Sequence, residues 1–151
     1  MKRTLLSLFV SLCCLTGFAQ NTISFGPSAV PMSKWGANAF GDFKVLSLGS
    51  RASVGLGAFV FGDIVKASED SPNPGKTIKE LYLAPQLSVH YQLSGRWDSY
   101  LRGGPGWFFM DNKNDFLFNI ELGTRFALND RWGLFAEAGL PFSSIGVSIA
   151  L

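Results

Sequence analysis

The stretch from Thr77 to Phe109 constrains the fold most strongly, because apolar and polar residues alternate along nearly all of it. Successive side chains of a β-strand point to opposite faces, so this alternation predicts two long strands, 77–93 and 97–109, joined by a tight turn. One face of the first strand carries Leu81, Leu83, Leu87, Val89, Tyr91 and Leu93. A two-stranded ribbon with an apolar face is not stable alone in water. Lipid or a protein core must therefore cover this face.

Residues 1–19 have the layout of a secretory signal peptide. Two basic residues precede an apolar run over 5–15, and small residues follow before Gln20. The apolar run is too short to span a membrane as a helix. Both cysteines of the chain lie in this segment, so the predicted mature domain, residues 20–151, has no thiol for a disulfide or a metal.

The composition narrows the class of protein further. Charged residues make up 16% of the chain, against about 25% in an ordinary soluble domain. The formal net charge is +2, and two positive charges lie in the predicted signal peptide, which argues against a nucleic-acid partner. No apolar segment long enough for a membrane-spanning helix follows the signal peptide. Low charge and abundant aromatic residues instead favour a β-barrel as the membrane-spanning form.

The alternation predicts eight strands: 22–28, 38–48, 52–65, 77–93, 97–109, 116–128, 132–140 and 143–151. Short turns are predicted at 49–51, 94–96 and 129–131, longer connections at 29–37, 66–76 and 111–115, and a last reversal that starts at 141–142. The pattern Leu-x-x-Arg-Trp occurs at 93–97 and 128–132, and 48–52 repeats it without the tryptophan. Short turns at one end and longer loops at the other are typical of an up-and-down antiparallel membrane barrel.

Aromatic residues are placed at two heights on the predicted outer face. Trp97 and Trp132 open their strands beside short turns, and Trp107 and Phe109 follow about ten residues beyond Trp97. At ~3.3 Å per residue and a tilt of ~40°, that distance is roughly 25 Å along the barrel axis. This is the height of the apolar band between the two aromatic girdles of a membrane barrel, so these four residues are the predicted girdle.

The opposite, inner face carries ionisable residues: Asp42, Lys44, Glu80, His90, Arg102, Glu121, Arg125 and Glu137. The interior of an eight-stranded barrel is just wide enough for side chains, and buried charges must be paired there. We expect Arg102 and Arg125 to pair with Glu80, Glu121 and Glu137 in a plugged lumen. The alternative is a narrow path for ions or small solutes.

The sequence contains no nucleotide-binding loop, zinc-ligand spacing or nucleophile elbow. A single histidine cannot form a multi-histidine metal site. Ser88 and His90 share the inner face, and Glu121 can complete the trio that a hydrolase needs. Polar packing of the lumen explains the same three residues more simply. We therefore predict a non-enzymatic protein without catalytic residues, cofactor or metal.

The signal peptide, the alternating strands, the Leu-x-x-Arg-Trp turns and the terminal Ile145, Val147, Ile149 and Leu151 resemble the outer-membrane protein β-barrel domain family. The resemblance covers nearly all of 21–151. It implies a barrel in the outer membrane of a Gram-negative bacterium, inserted by the barrel-assembly machinery, which reads the last strand. That strand usually ends in an aromatic residue in the family, and Leu151 differs. The family includes structural proteins, adhesins and poorly conducting pores, so fold alone does not choose among them.

The expected fold is thus all-β: an eight-stranded antiparallel up-and-down transmembrane barrel, present as a monomer. Its expected role is structural or binding, with loops 29–37 and 66–76 as the surfaces for an extracellular ligand. A narrow pore is the second reading. The third is a soluble periplasmic barrel or sandwich that binds an apolar ligand.

Overall fold

The computed structural model describes residues 21–30, 34–66, 75, 77–110 and 113–151, which form one closed barrel of eight antiparallel strands. The strands are β1 (Thr22–Val30), β2 (Lys34–Leu48), β3 (Ala52–Lys66), β4 (Thr77–Ser94), β5 (Trp97–Met110), β6 (Lys113–Ala127), β7 (Trp132–Leu140) and β8 (Ser143–Ala150). Each strand pairs with its sequence neighbours, and β1 pairs with β8 to close the barrel. The prediction of an all-β, closed, eight-stranded antiparallel barrel is confirmed. The predicted signal peptide, 1–19, lies outside the described residues.

Two segments predicted as loops are largely strand. The predicted loop 29–37 is mostly wrong, since Ala29 pairs with Trp35 and Val30 pairs with Lys34. Of this segment only 31–33 lie outside β1 and β2, and the structure does not describe them. In the predicted loop 111–115, Asp115 belongs to β6 and pairs with Phe108. Of the predicted loop 66–76, Lys66 ends β3, and apart from Gly75 the rest lies outside the described residues.

Gly36 explains part of the error in the first hairpin. It belongs to the predicted loop 29–37, but it lies in β2, directly opposite Ser28 of β1. A Cβ at this position would lie 2.6 Å from the ring of Phe61, which is fully buried inside the barrel. The glycine therefore makes room for an interior ring, and the ladder of backbone hydrogen bonds continues past it.

The short turns at one end of the barrel share one backbone hydrogen bond. In each turn the arginine carbonyl accepts from an amide of the next hairpin at 2.8 Å: Gln92 N to Arg51 O, Ala127 N to Arg96 O and Ala150 N to Arg131 O. The Leu-x-x-Arg-Trp repeat is thus a repeat of backbone geometry. Gly49, in the first of these turns, has φ +84°, a left-handed conformation that favours glycine. We call this end of the barrel the turn end.

The two faces of the barrel differ in chemistry in the way the alternation predicts. Inside, buried polar and charged residues outnumber buried hydrophobic ones; the latter are Phe40, Phe59, Phe61, Tyr82, Ala84, Tyr100, Phe135 and Phe142. Outside, exposed large hydrophobic side chains occur on all eight strands. Along β4 the burial alternates residue by residue from Leu81 to Val89. Among the described residues there is no helix long and apolar enough to cross a membrane.

Candidate functional site

The middle of the lumen is occupied by an ion-pair cluster around Arg102 of β5. Its Nε lies 2.7 Å from Oε2 of Glu121, the residue directly opposite on β6. Its Nη2 donates to Oε2 of Glu137 on β7, also at 2.7 Å. All three side chains are at most 1% exposed. Such buried charges are tolerated only when paired and hydrogen-bonded.

Further donors surround the two glutamates. The hydroxyl of Tyr100 donates to Oε1 of Glu137 at 2.7 Å, and the hydroxyl of Ser144 donates to Oε2 at 2.7 Å. Asn119 Nδ2 donates to Oε1 of Glu121 at 3.2 Å. Both oxygens of Glu137 are therefore satisfied, and one arginine serves two carboxylates. We call Tyr100, Arg102, Glu121, Glu137 and Ser144 the central cluster. Glu80, the third glutamate of the predicted network, is also buried on the inner face, but the ion pairs of Arg102 are with Glu121 and Glu137.

Aromatic rings close the lumen on the loop side of the central cluster. The guanidinium carbon of Arg102 lies 3.7 Å from the centroid of the Phe40 ring, close enough for a cation–π contact. Beyond it, Phe142 packs against three rings, with centroid distances of 5.1, 4.8 and 4.9 Å to Phe59, Phe61 and Tyr82. We call these four rings the aromatic plug. Each is at most 1% exposed, so water does not reach them.

A second polar cluster lies in the lumen near the turn end. His90 of β4 is placed between two carboxylates: its Nε2 lies 2.6 Å from Asp42 Oδ2 and its Nδ1 lies 2.8 Å from Asp98 Oδ2. Ser88 donates to Asp42 Oδ1 at 2.9 Å. Arg125 lies 3.7 Å from Asp98. We call these five residues the turn-end cluster.

The predicted pairing of Arg125 with a glutamate is not seen. Its ion-pair partner is Asp98, and the glutamates nearer the middle of the lumen are held by Arg102. Arg125 also stacks over the ring of Tyr100 at 5.2 Å. Lys44, another predicted inner-face residue, lines a small polar cavity of about 10 Å³ with His90 and Arg125.

The Ser88–His90 pair is part of this cluster, and Glu121 is not. Ser88 Oγ lies 3.1 Å from His90 Nε2, and Asp98 accepts on the other ring nitrogen. This order resembles a hydrolase triad, but Asp42 also faces Nε2 at a shorter distance. With a carboxylate on each nitrogen, the ring is best satisfied when both nitrogens carry protons. A ring in that state cannot accept the serine proton, so the geometry favours an ion-pair role.

The same side chains include carboxylates and an imidazole, which are the usual protein ligands of metal ions. In the described part of the chain, no group of three or more His, Cys, Asp or Glu residues is arranged to hold a metal ion. The carboxylates of the two clusters instead contact arginine, histidine, tyrosine and serine side chains.

The four predicted girdle residues all face outward. Trp97 packs edge-on against Phe126 with centroids 5.4 Å apart, and its Nε1 donates to Thr124 Oγ1. Trp107 packs edge-on against Phe116 at 5.7 Å. An apolar ring with a satisfied N–H is the chemistry that favours tryptophan at an interface between apolar and polar surroundings.

Two features of the lumen were missed from sequence. Asp98 lies an even number of positions from Tyr100 and Arg102 along the same strand, and this spacing is the sequence signal for its inward position. Phe142 lies in the connection between β7 and β8, where no alternation indicates direction, and it turns into the barrel.

Comparison with known proteins supports the architecture. No protein-family model and no curated protein matches the sequence. Among solved structures, the chain is similar to one described as "De novo design of transmembrane beta-barrels", with a TM-score of 0.55 and 11% identity. The match covers 89% of this chain and 98% of that chain. At this identity the similarity shows the fold alone, a closed β-barrel like that of a designed transmembrane protein.

Proposed function

We propose that the protein is a small integral β-barrel of a Gram-negative outer membrane, with a closed lumen and a structural or loop-mediated binding role, and without enzymatic activity. The observation that carries this proposal is the inversion of the usual burial pattern. Charged side chains such as Arg102 and Glu121 are buried, while large apolar side chains are exposed around the whole barrel.

The outer surface supports insertion in lipid. A soluble monomer rarely exposes a contiguous apolar patch above a few hundred Å², whereas here exposed Leu, Ile, Val, Phe or Trp side chains lie on every strand. A closed barrel also satisfies each strand's backbone groups through its neighbours, which lipid requires. The third reading, a soluble barrel or sandwich binding an apolar ligand, leaves this surface without a partner.

The aromatic residues define the expected position in the bilayer. Trp97 and Trp132 begin their strands at the turn end, and Trp107 and Phe109 lie toward the other end of β5. The ten residues between Trp97 and Trp107 span roughly 25 Å of bilayer height. The turn end is then periplasmic. In this proposal β8, with Ile145 and Val147 toward the outside, is the strand that the barrel-assembly machinery reads.

The lumen supports a closed barrel over a pore. A continuous aqueous path would wet the aromatic plug, but Phe59, Phe61 and Tyr82 are 0% exposed. The central cluster fills the next level with ion pairs of 2.7 Å. In a narrow pore for ions or small solutes, the aromatic plug and the central cluster would both have to move aside.

The binding role is assigned to the sequence between β3 and β4. Residues 67–76 form the most polar stretch of the chain, KASEDSPNPGK with Lys66 included, and they connect strands at the end opposite the short turns. An extracellular ligand would meet this connection. Segment 29–37 does not offer a comparable binding loop, because most of it is strand.

The first experiment is electrophoresis of the detergent-extracted membrane fraction with and without boiling. A closed membrane barrel resists SDS when cold and changes mobility when heated. Recovery in the soluble fraction without such a shift would overturn the proposal and favour the soluble, ligand-binding reading.

Two further measurements distinguish a closed barrel from a pore and test the binding loop. Planar bilayers that contain the protein should show no discrete conductance steps, and regular steps would favour the pore. Replacing residues 67–76 by a short Gly-Ser linker should leave the heat-dependent mobility shift unchanged and abolish binding to any extracellular ligand. Loss of the shift in this variant would contradict the assignment of the segment as a binding loop.

A further inference from the structure

A cavity of about 380 Å³ opens at the turn end of the barrel. It lies between the β4–β5 turn and the β6–β7 turn, and the ends of β1 and β8 complete its wall. Its lining includes Arg96 and Trp97 from one turn and Arg131 and Trp132 from the other. These are the paired Arg-Trp residues of the two full copies of the Leu-x-x-Arg-Trp repeat. The repeat thus places two equivalent arginines around one cavity.

The two arginines at the mouth of the cavity have free charges. Both are exposed, and their carbonyls are fixed by the hydrogen bonds to Ala127 and Ala150. Within the described ranges, no carboxylate lies within ion-pair distance of either guanidinium. Asp98 also lines the cavity, but its carboxylate is engaged by His90 and Arg125.

A third arginine lies at the back of the cavity and adds positive charge there. Arg125 is only 8% exposed and lines the cavity. Its Nε and Nη2 are buried without a hydrogen-bond partner in the described part of the chain, and its one ion pair, to Asp98, is long at 3.7 Å. These two nitrogens are closed to solvent, so Arg125 contributes positive charge to the back of the cavity.

We propose that this cavity binds a phosphate-type oxyanion, with Arg96 and Arg131 on its two sides and Arg125 at its back. The guanidinium group matches phosphate oxygens with two parallel N–H donors, which gives arginine its preference for such ligands. Asp98 and Asp130 are also in the lining, against three arginines, so the cavity keeps a positive excess.

Two sources can supply the phosphate group. Trp97 and Trp132 belong to the outward face, so the cavity opens beside the apolar band and a phospholipid headgroup can reach it. A free phosphate can enter from the turn end. Binding of free phosphate does not depend on the proposed membrane location, whereas the lipid source rests on it.

The test uses the detergent-extracted protein in maltoside micelles, which contain no phosphate. Inorganic phosphate is titrated by calorimetry into the wild type, Arg96→Gln and Arg131→Gln. Arg51→Gln is the matched control, because Arg51 occupies the same place in its turn and accepts the same backbone bond but does not line the cavity. The wild type and Arg51→Gln should bind equally, and the other two variants should bind about tenfold more weakly or worse, because each loses a charge-assisted hydrogen bond.

A short-chain phosphatidylglycerol, added below its micelle concentration, then distinguishes the sources. If it displaces inorganic phosphate from the wild type, a headgroup fits the site; if it does not, the site takes the free anion. Absence of phosphate binding to the wild type would overturn the proposal, as would equal weakening by Arg51→Gln. The heat-dependent mobility shift, measured on the same samples, tests the membrane proposal separately. If the protein shows the shift but binds no phosphate, only the proposed phosphate site is overturned.

Discussion

The central cluster and the turn-end cluster use similar residues at different depths of the same lumen. In the central cluster the ion-paired side chains are at most 1% exposed, and both pairs are 2.7 Å long. In the turn-end cluster the side chains of Arg125 and Asp98 are 9% and 13% exposed, and they lie 3.7 Å apart. Water can therefore partly replace a lost partner near the turn end but not in the middle. Depth, more than the number of charges, should decide what each residue contributes to stability.

Removal of Arg102 tests the deeper cluster and should have the largest effect. Arg102→Ala leaves two buried carboxylates without their cation, which costs about 3–5 kcal/mol of the free energy of unfolding. Urea unfolding followed by tryptophan fluorescence measures the loss. The matched control adds Glu121→Gln and Glu137→Gln to Arg102→Ala and should recover much of it. If the single variant were no less stable than Arg125→Ala, depth would not be the deciding factor.

The ring of Tyr100 lies between the two clusters, and a side chain at Gly123 would displace it. Tyr100 bonds Glu137 through its hydroxyl, and its ring packs on His90 and Arg125. In Gly123→Ala the new Cβ would lie 2.5 Å from that ring, so overpacking should cost about 1–3 kcal/mol. Gly62→Ala is the control, since the nearest atom to its Cβ lies 4.0 Å away. Equal urea midpoints for the two variants would show that Tyr100 moves freely.

Removal of Arg125 tests the shallower cluster. Arg125→Ala takes away a long ion pair, but Asp98 keeps its contact with His90. The expected cost is about 1–2 kcal/mol, clearly below that of Arg102→Ala. The same urea titration gives the value. A cost as large as that of Arg102→Ala would mean that Asp98 is far less hydrated than its exposure indicates.

The smallest effect is expected at Ser88. Ser88→Ala removes one donor from Asp42, while the contact between Asp42 and His90 at 2.6 Å remains. The loss should be about 1 kcal/mol or less, measured as a small decrease in the urea midpoint. Loss of several kcal/mol would assign the hydroxyl a role that the structure does not show.

The barrel itself was predictable because strand alternation is a local property. The parity of β4 to β7 places Arg102, Glu121 and Glu137 on one face, and a meander of sequence-adjacent strands brings them together. The pairing of individual charges was not predictable, since it depends on register. Arg125 is opposite Asp98 on β5, two rows from the glutamate that holds Arg102.

Other features depend on packing across the barrel. The segment 29–37 was predicted as a loop, but β1 and β2 include all of it except 31–33, and a side chain at Gly36 would meet the distant ring of Phe61. Phe142 closes the lumen from a connection whose direction no periodic pattern records. The cavity at the turn end lies between two turns whose arginines, Arg96 and Arg131, are 35 positions apart, and its wall is completed by the ends of β1 and β8, which only the closed barrel brings there.

The hydrogen bonds at the turn end also show that the first and last strands could be joined there by a new turn. Leu151 N donates to Asn21 O at 2.9 Å, so the two ends of the barrel domain meet beside the three turns that share the arginine carbonyl bond. The gap between β8 and β1 has the position of a fourth short turn. A circular permutant with a turn across this gap, opened at the connection between β3 and β4, would keep every strand neighbour. The closed barrel therefore does not depend on the order in which its hairpins are synthesised.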